Sequence, residues 1–175
     1  MTPHSEVAAI LPIWVLVVKA DRDNDCKPLS EDLQRAEKVM LQVKTYLDSL
    51  ENAAHRIVHV GQTRVALEVA SIFRGCTGKT DQAIRPVNAF FRKGIEENDE
   101  QEYGAFVRQV IRHFNAQIGC DVFIAILDRE VINQILLNRS DVRAPHPRFA
   151  LRGGEACIIS RDGEYREFRW PPPEI

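Results

Sequence analysis

Ile13-Trp-Val-Leu-Val-Val-Lys-Ala-Asp21 is the stretch on which the fold turns. Six apolar residues in a row, closed by Lys19, cannot be a strand with one wet face, because such a strand would alternate polar with apolar. The run fits a strand buried on both sides, as in a parallel sheet covered by helices. The polar stretch from Asp21 to Pro28 follows, and from Ser30 the period changes. Leu33, Ala36, Met40, Val43, Leu47 and Leu50 recur every three or four residues, which predicts a long amphipathic helix with Ser30 as its cap.

The same alternation continues down the chain. Arg56 to Val60 reads as a second strand ending at Gly61, and Ala66, Val69, Ala70 and Phe73 mark one face of a helix that stops at Gly75. Between 76 and 100 the pattern weakens. Val87 to Ile95 fits a helix after Pro86, and Glu96 to Gln101 a solvated acidic turn. Tyr103, Phe106, Val110, Phe114 and Ile118 predict a further helix closed by Gly119. Asp121 to Leu127 is a third buried strand, followed by a helix carrying Ile132, Ile135 and Leu136. Ala156 to Ser160 and Tyr165 to Trp170 form a hairpin turning on Asp162-Gly163. The prediction is an α/β fold, a three-layer α/β/α sandwich whose mostly parallel central sheet ends in a C-terminal antiparallel hairpin. It is read as one domain over residues 1–175, with its core about 12–170, no repeat and a loose tail at Pro171 to Pro173.

Composition narrows the function by exclusion. With 45% hydrophobic residues in 175, the chain is large enough to bury a proper core. The 23 basic against 25 acidic residues leave a net charge of −2, which argues against nucleic acid or an anionic membrane as partner. Ile13 to Val18 is too short to span a bilayer, and Met1 to Ala9 has no basic start, so neither span nor signal peptide is expected. Cys26, Cys76, Cys120 and Cys157 lack the spacing of a metal site and read as free thiols of a cytoplasmic protein. No metal and no cofactor is expected.

In an open α/β sheet the ligand sits beyond the carboxyl ends of the strands. The candidates are therefore Val18, Lys19, Ala20 and Asp21, then Gly61 to Val65, then Leu127 to Glu130. Lys27-Pro-Leu-Ser30 before the long helix, Gly61-Gln-Thr-Arg-Val-Ala-Leu-Glu-Val-Ala70, and Phe123-Ile-Ala-Ile-Leu-Asp-Arg-Glu-Val-Ile132 come in the order and spacing of three family blocks. Gly153-Gly-Glu-Ala-Cys-Ile-Ile159 with Asp162-Gly163 fits the closing strand and turn. Over roughly residues 12–170 the chain resembles the histidine phosphatase superfamily, with its phosphoglycerate mutase-like fold, and most of all the small SixA-type phosphohistidine phosphatases.

The resemblance implies a nucleophilic histidine after the first strand, arginines beside it, and a second histidine after the third strand, all around a phosphoryl group. Here those positions are substituted. The nucleophile falls on Lys19 and its neighbouring arginine on Val18, while the second-block arginine falls on Val65, next to Arg64. The third-block histidine falls on Asp128, beside Arg129. A carboxylate there repels an anionic substrate, and one placed against Lys19 favours an ammonium with no lone pair to attack with. A Lys19–Asp128 ion pair is expected, and with it a pseudophosphatase that binds a protein partner or small ligand in a pocket lined by Lys19, Arg64, Asp128 and Arg129. The alternative is a divergent phosphohistidine or phosphomonoester phosphatase, with Lys19 and Arg64 holding phosphate and Asp21 or Asp128 as general acid. A purely structural subunit is a third reading, and the oligomeric state is not legible.

Other signals carry less. Gly75-Cys-Thr-Gly-Lys-Thr80 ends like a phosphate loop but has Phe73 where that motif needs glycine, so it reads as a helix end. Of His4, His55, His59, His113 and His146, His59 lies in the second strand and reads as a core histidine with one satisfied hydrogen bond. Phe90, Phe91, Tyr103, Phe106 and Phe114 read as packing between two helices.

Overall fold

The computed structural model describes residues 11–77, 84–90, 100–117, 119–139, 142 and 151–172. Strand β1 (Ile13–Val18) is buried at all six positions. It lies parallel to β4 (Val122–Leu127), which is equally apolar, in the register Ile13↔Val122 to Val18↔Leu127. On the far side of β4 comes β2 (Arg56–Val60) and then the short edge strand β3 (Ile84–Pro86), both parallel. On the other side of β1 lie β5 (Ala156–Ile159) and β6 (Tyr165–Phe168), both antiparallel to their neighbours. The sheet order is β3-β2-β4-β1-β5-β6.

The unbroken apolar runs are explained by the layers above and below. Val15 and Val17 of β1 face α1 (Ser30–Asp48) and α2 (Arg64–Phe73), whose Val39, Val43, Val69 and Phe73 are fully buried. Trp14, Leu16 and Val18 point the other way, toward α3 (Glu100–Asn115) and α4 (Arg129–Asn138) through Val110, Phe114, Val131 and Ile132. Successive residues of a strand alternate faces, so a strand with helices on both sides has no place for a polar residue. Among the described residues, no helix is long and apolar enough to cross a membrane.

Several boundaries differ from expectation for local reasons. The capping position of α1 is Leu29, and Ser30 is the first helical residue without a side-chain cap bond. Glu31 and Asp32 in the first turn complement the helix dipole instead. Strand β3 carries no readable period, because it is three residues long and ends in Pro86, a residue tolerated only at a sheet edge. In place of the start of a helix from Val87, Asn88–Phe90 forms one 3₁₀ turn, and the rest of that expectation lies outside the described residues. Helix α3 begins at Glu100, taking Glu100 and Gln101 out of the acidic turn. After α2 the chain makes a 3₁₀ turn over Arg74–Cys76, while Gly78 to Thr80 also lie outside the described residues.

The C-terminal segment is tied down further than its composition suggests. Glu155 is fully buried; its carboxylate accepts the Arg152 backbone N–H at 2.6 Å and the Trp170 N–H at 3.1 Å. The Arg152 guanidinium bonds the Glu155 carboxylate at 3.0 Å and reaches the Trp170 carbonyl at 2.9 Å. Trp170 is thus anchored through its backbone, immediately before the segment whose composition reads as loose.

His59 does more than satisfy one bond. Its ring is 4% exposed and edge-on to Phe123, with centroids 4.6 Å apart, and its Nδ1 lies 2.8 Å from His113 Nε2 on α3. A hydrogen bond between two ring nitrogens needs the accepting ring to be neutral, so the pair cannot persist with both rings charged. Burial first, then His113, then Arg85 on β3 lower the His59 pKa to about 4, and burial lowers that of His113 as well. An unfolded histidine titrates near 6.5, so below that pH the unfolded chain takes up protons that the fold refuses. Stability is therefore complete above about pH 6.5 and declines toward pH 4, by roughly 3 kcal/mol from His59 alone. Urea unfolding measured across that window should show this decline, with a shallower slope in His59→Phe.

Candidate functional site

Parallel pairing of β1 and β4 carries both strands to the same end in step. Beyond Val18↔Leu127 the next two residues are Lys19 and Asp128, and the Lys19 N–H still donates to the Leu127 carbonyl at 3.0 Å. Their side chains meet: Lys19 Nζ lies 2.8 Å from Asp128 Oδ1, with the side chains 35% and 15% exposed. Asp128 holds an extended backbone at the start of α4, where the helix dipole favours a carboxylate.

The other wall comes from β2 and α2. Gly61 follows β2 with its Cα against the Phe90 carbonyl; a Cβ there would sit 2.7 Å from that oxygen, so only glycine lets the strand end approach. Thr63 caps α2, its hydroxyl accepting the Ala66 N–H at 3.4 Å. Around Lys19 and Asp128 the cavity is lined by Thr63, Ala66, Phe90, Phe106 and Val131, and it measures about 20 Å³. That is room for about one water.

The remaining candidate residues are not gathered there. Arg64 is the first residue of α2, 59% exposed, with its Nε 3.8 Å from Glu68 Oε1, while Val65 behind it is core. The one-residue slip that would bring a guanidinium inward is not realised. Arg129 donates through Nε to the Leu151 carbonyl, bracing the entry to β5. Val18 and Ala20 are buried, and Asp21 is exposed. The pocket expected from Lys19, Arg64, Asp128 and Arg129 is thus corrected: of the four, Lys19 and Asp128 alone line this cavity.

Two features escaped the sequence. Phe90 and Phe106 line the site as well as packing against their neighbours; nothing in their spacing distinguishes the two roles. Behind the loop after Lys19 sits a buried ion pair, Arg35 Nη1 to Asp32 Oδ1 at 2.7 Å. Arg35 also donates to the Gly153 carbonyl at 3.0 Å, and Asp32 Oδ2 accepts the Asp21 N–H at 2.8 Å. This network pins the chain as it leaves β1. Asp32 and Arg35 at a spacing of three on a helix were a usable signal, masked because such pairs are usually solvated.

Neither a family model nor a curated protein matches the sequence. Solved structures match the shape. A protein histidine phosphatase SixA, complexed with tungstate, superposes with a TM-score of 0.57 at 8% identity, over 89% of this chain and 93% of that one. A phosphoglycerate mutase from Plasmodium falciparum gives 0.56 at 11% identity over 94% and 97% of the two chains. An alpha-ribazole phosphatase from Shigella flexneri gives 0.56 at 10%, over 93% and 98%. The chain has the phosphoglycerate mutase-like fold of the histidine phosphatases, SixA-type structures among them.

The ion pair at the strand ends is partly screened by solvent. A double-mutant cycle of Lys19→Met and Asp128→Leu, read by urea unfolding at neutral pH, should give a coupling on the order of 1 kcal/mol that shrinks in high salt.

Proposed function

We propose that this chain is a non-catalytic member of the histidine phosphatase superfamily, which works by binding a protein partner or small ligand at the carboxyl edge of its sheet. One observation carries this: the 2.8 Å pair of Lys19 with Asp128 in a small, otherwise largely apolar cavity. Phosphoryl transfer needs a neutral nucleophile and several cations around the anion. Among the described residues the cavity offers one ammonium, already engaged by a carboxylate. An oxyanion brought within about 4 Å of Asp128 meets repulsion on the order of 4 kcal/mol per charge pair near a protein surface. The near-neutral charge of the chain argues against nucleic acid and membrane as the partner, and its free cysteines suit the cytoplasm.

A divergent phosphatase is the second reading, favoured by the shapes the chain shares with phosphatases and a mutase, one of them complexed with a tetrahedral oxyanion. Lys19 and Arg64 would then hold phosphate, with Asp21 or Asp128 as general acid. Its weakness is geometric, since Arg64 pairs with Glu68 at the surface and Asp128 with Lys19.

Calorimetric titration with tungstate and turnover of phosphohistidine and p-nitrophenyl phosphate separate the two. The unmodified protein should show neither saturable binding nor turnover, and Asp128→Asn should gain weak tungstate binding without turnover. Turnover by the unmodified protein that disappears in Lys19→Met overturns the non-catalytic reading.

A further inference from the structure

On the outer side of the pair α3 and α4, away from the strand-end cavity, lies a groove of about 450 Å³. Its volume is comparable to that of small-molecule sites, but it is a groove open to solvent along one side. Phe106 and Val131 of these helices face the strand-end cavity, whereas Val107 and Gln134, one and three residues on, face the groove. Gly104 forms part of its wall. This glycine stands inside α3 with no left-handed backbone to require it, where glycine is a poor helix former. Without a side chain at 104 the helix surface is bare, and Arg108 Nη1 lies across it, 3.3 Å from where a Cβ would be.

The chemistry of the lining is specific. Val107, Ile111 and Leu137 supply an apolar floor, with Leu137 59% exposed. Arg108 is the one charged side chain in the lining and makes no ion pair among the described residues. The carboxamides of Gln134 and Asn138 face the same groove, likewise without a hydrogen-bond partner among the described residues. An unpaired guanidinium fits the planar fork of a carboxylate, and the amides add donors beside it.

We propose that the groove between α3 and α4 binds small organic carboxylates with an apolar body, the carboxylate on Arg108 and the body over Val107, Ile111 and Leu137. The site is separate from Lys19 and Asp128, so its occupancy does not depend on whether the strand-end cavity is catalytic.

Two probes of equal shape test this, 4-phenylbutyrate and its neutral amide, titrated into the full chain with backbone amide NMR shifts as the readout. The acid should give saturable shifts centred on Gly104, Arg108, Gln134 and Asn138, with affinity roughly tenfold above the amide. Arg108→Gln should bring the acid down to the level of the amide. Gly104→Leu fills the groove with a better helix former; it should weaken both probes while leaving the melting temperature unchanged or raised. Shifts that do not saturate, that centre on Lys19 and Asp128, or that show no preference for the acid overturn the proposal. So does a preference that survives Arg108→Gln.

Discussion

The parallel pairing of β1 with β4 is the constraint on which the rest depends. These are the two longest strands, six residues each and buried at every position, and the other elements are placed by reference to them: β2 and β3 beyond β4, β5 and β6 beyond β1, and helices above and below. Parallel strands in fixed register end together, so whatever follows Val18 must stand beside whatever follows Leu127. In this chain a cation and an anion stand there. Their meeting needs no dedicated loop; it follows from the ladder and one residue of chain at each end. A one-residue slip of β4 would turn its Phe123 and Ala125 to the opposite face as well as separate the pair, so the core and the site are held by the same register.

Much of this was legible from residue order. The apolar runs 13–18 and 122–127 announce buried strands because burial on both faces leaves no polar position. The three-and-four spacing through Leu33, Ala36, Met40 and Val43 announces α1 because one stripe of that helix faces the sheet. What failed to show was structure supported from outside its own segment. Strand β3 is three residues held by one neighbour, and Phe90 is fixed by the stacking of its ring on Phe114, 5.9 Å away, more than by any local preference. Short segments of this kind carry too few residues to establish a period.

The site divides along the same line. Lys19 and Asp128 could be paired from the sequence because the strands before them were recognisable. Arg64 and Arg129 could not be placed, because the rotamer of a surface arginine answers to whichever acceptor is near: Glu68 for one, the Leu151 carbonyl for the other. Of the contacts that steady the loop after β1, Asp32 with Arg35 and with the Asp21 N–H are near in sequence, while Arg35 with the Gly153 carbonyl joins residues 118 positions apart. Charges at helical spacing look alike whether they face solvent or the interior, and only the fold distinguishes them.

The sheet is open, so it has two edges, and both are built to be poor templates. Strand β3 offers three residues and ends in a proline, which has no N–H to give. Strand β6 presents Arg166 and Glu167 in the middle of its four residues, so a second strand laid alongside would meet fixed charges along its length. Self-association through strand addition is therefore disfavoured at both edges of the sheet, and the hydrogen-bond ladder ends with this chain.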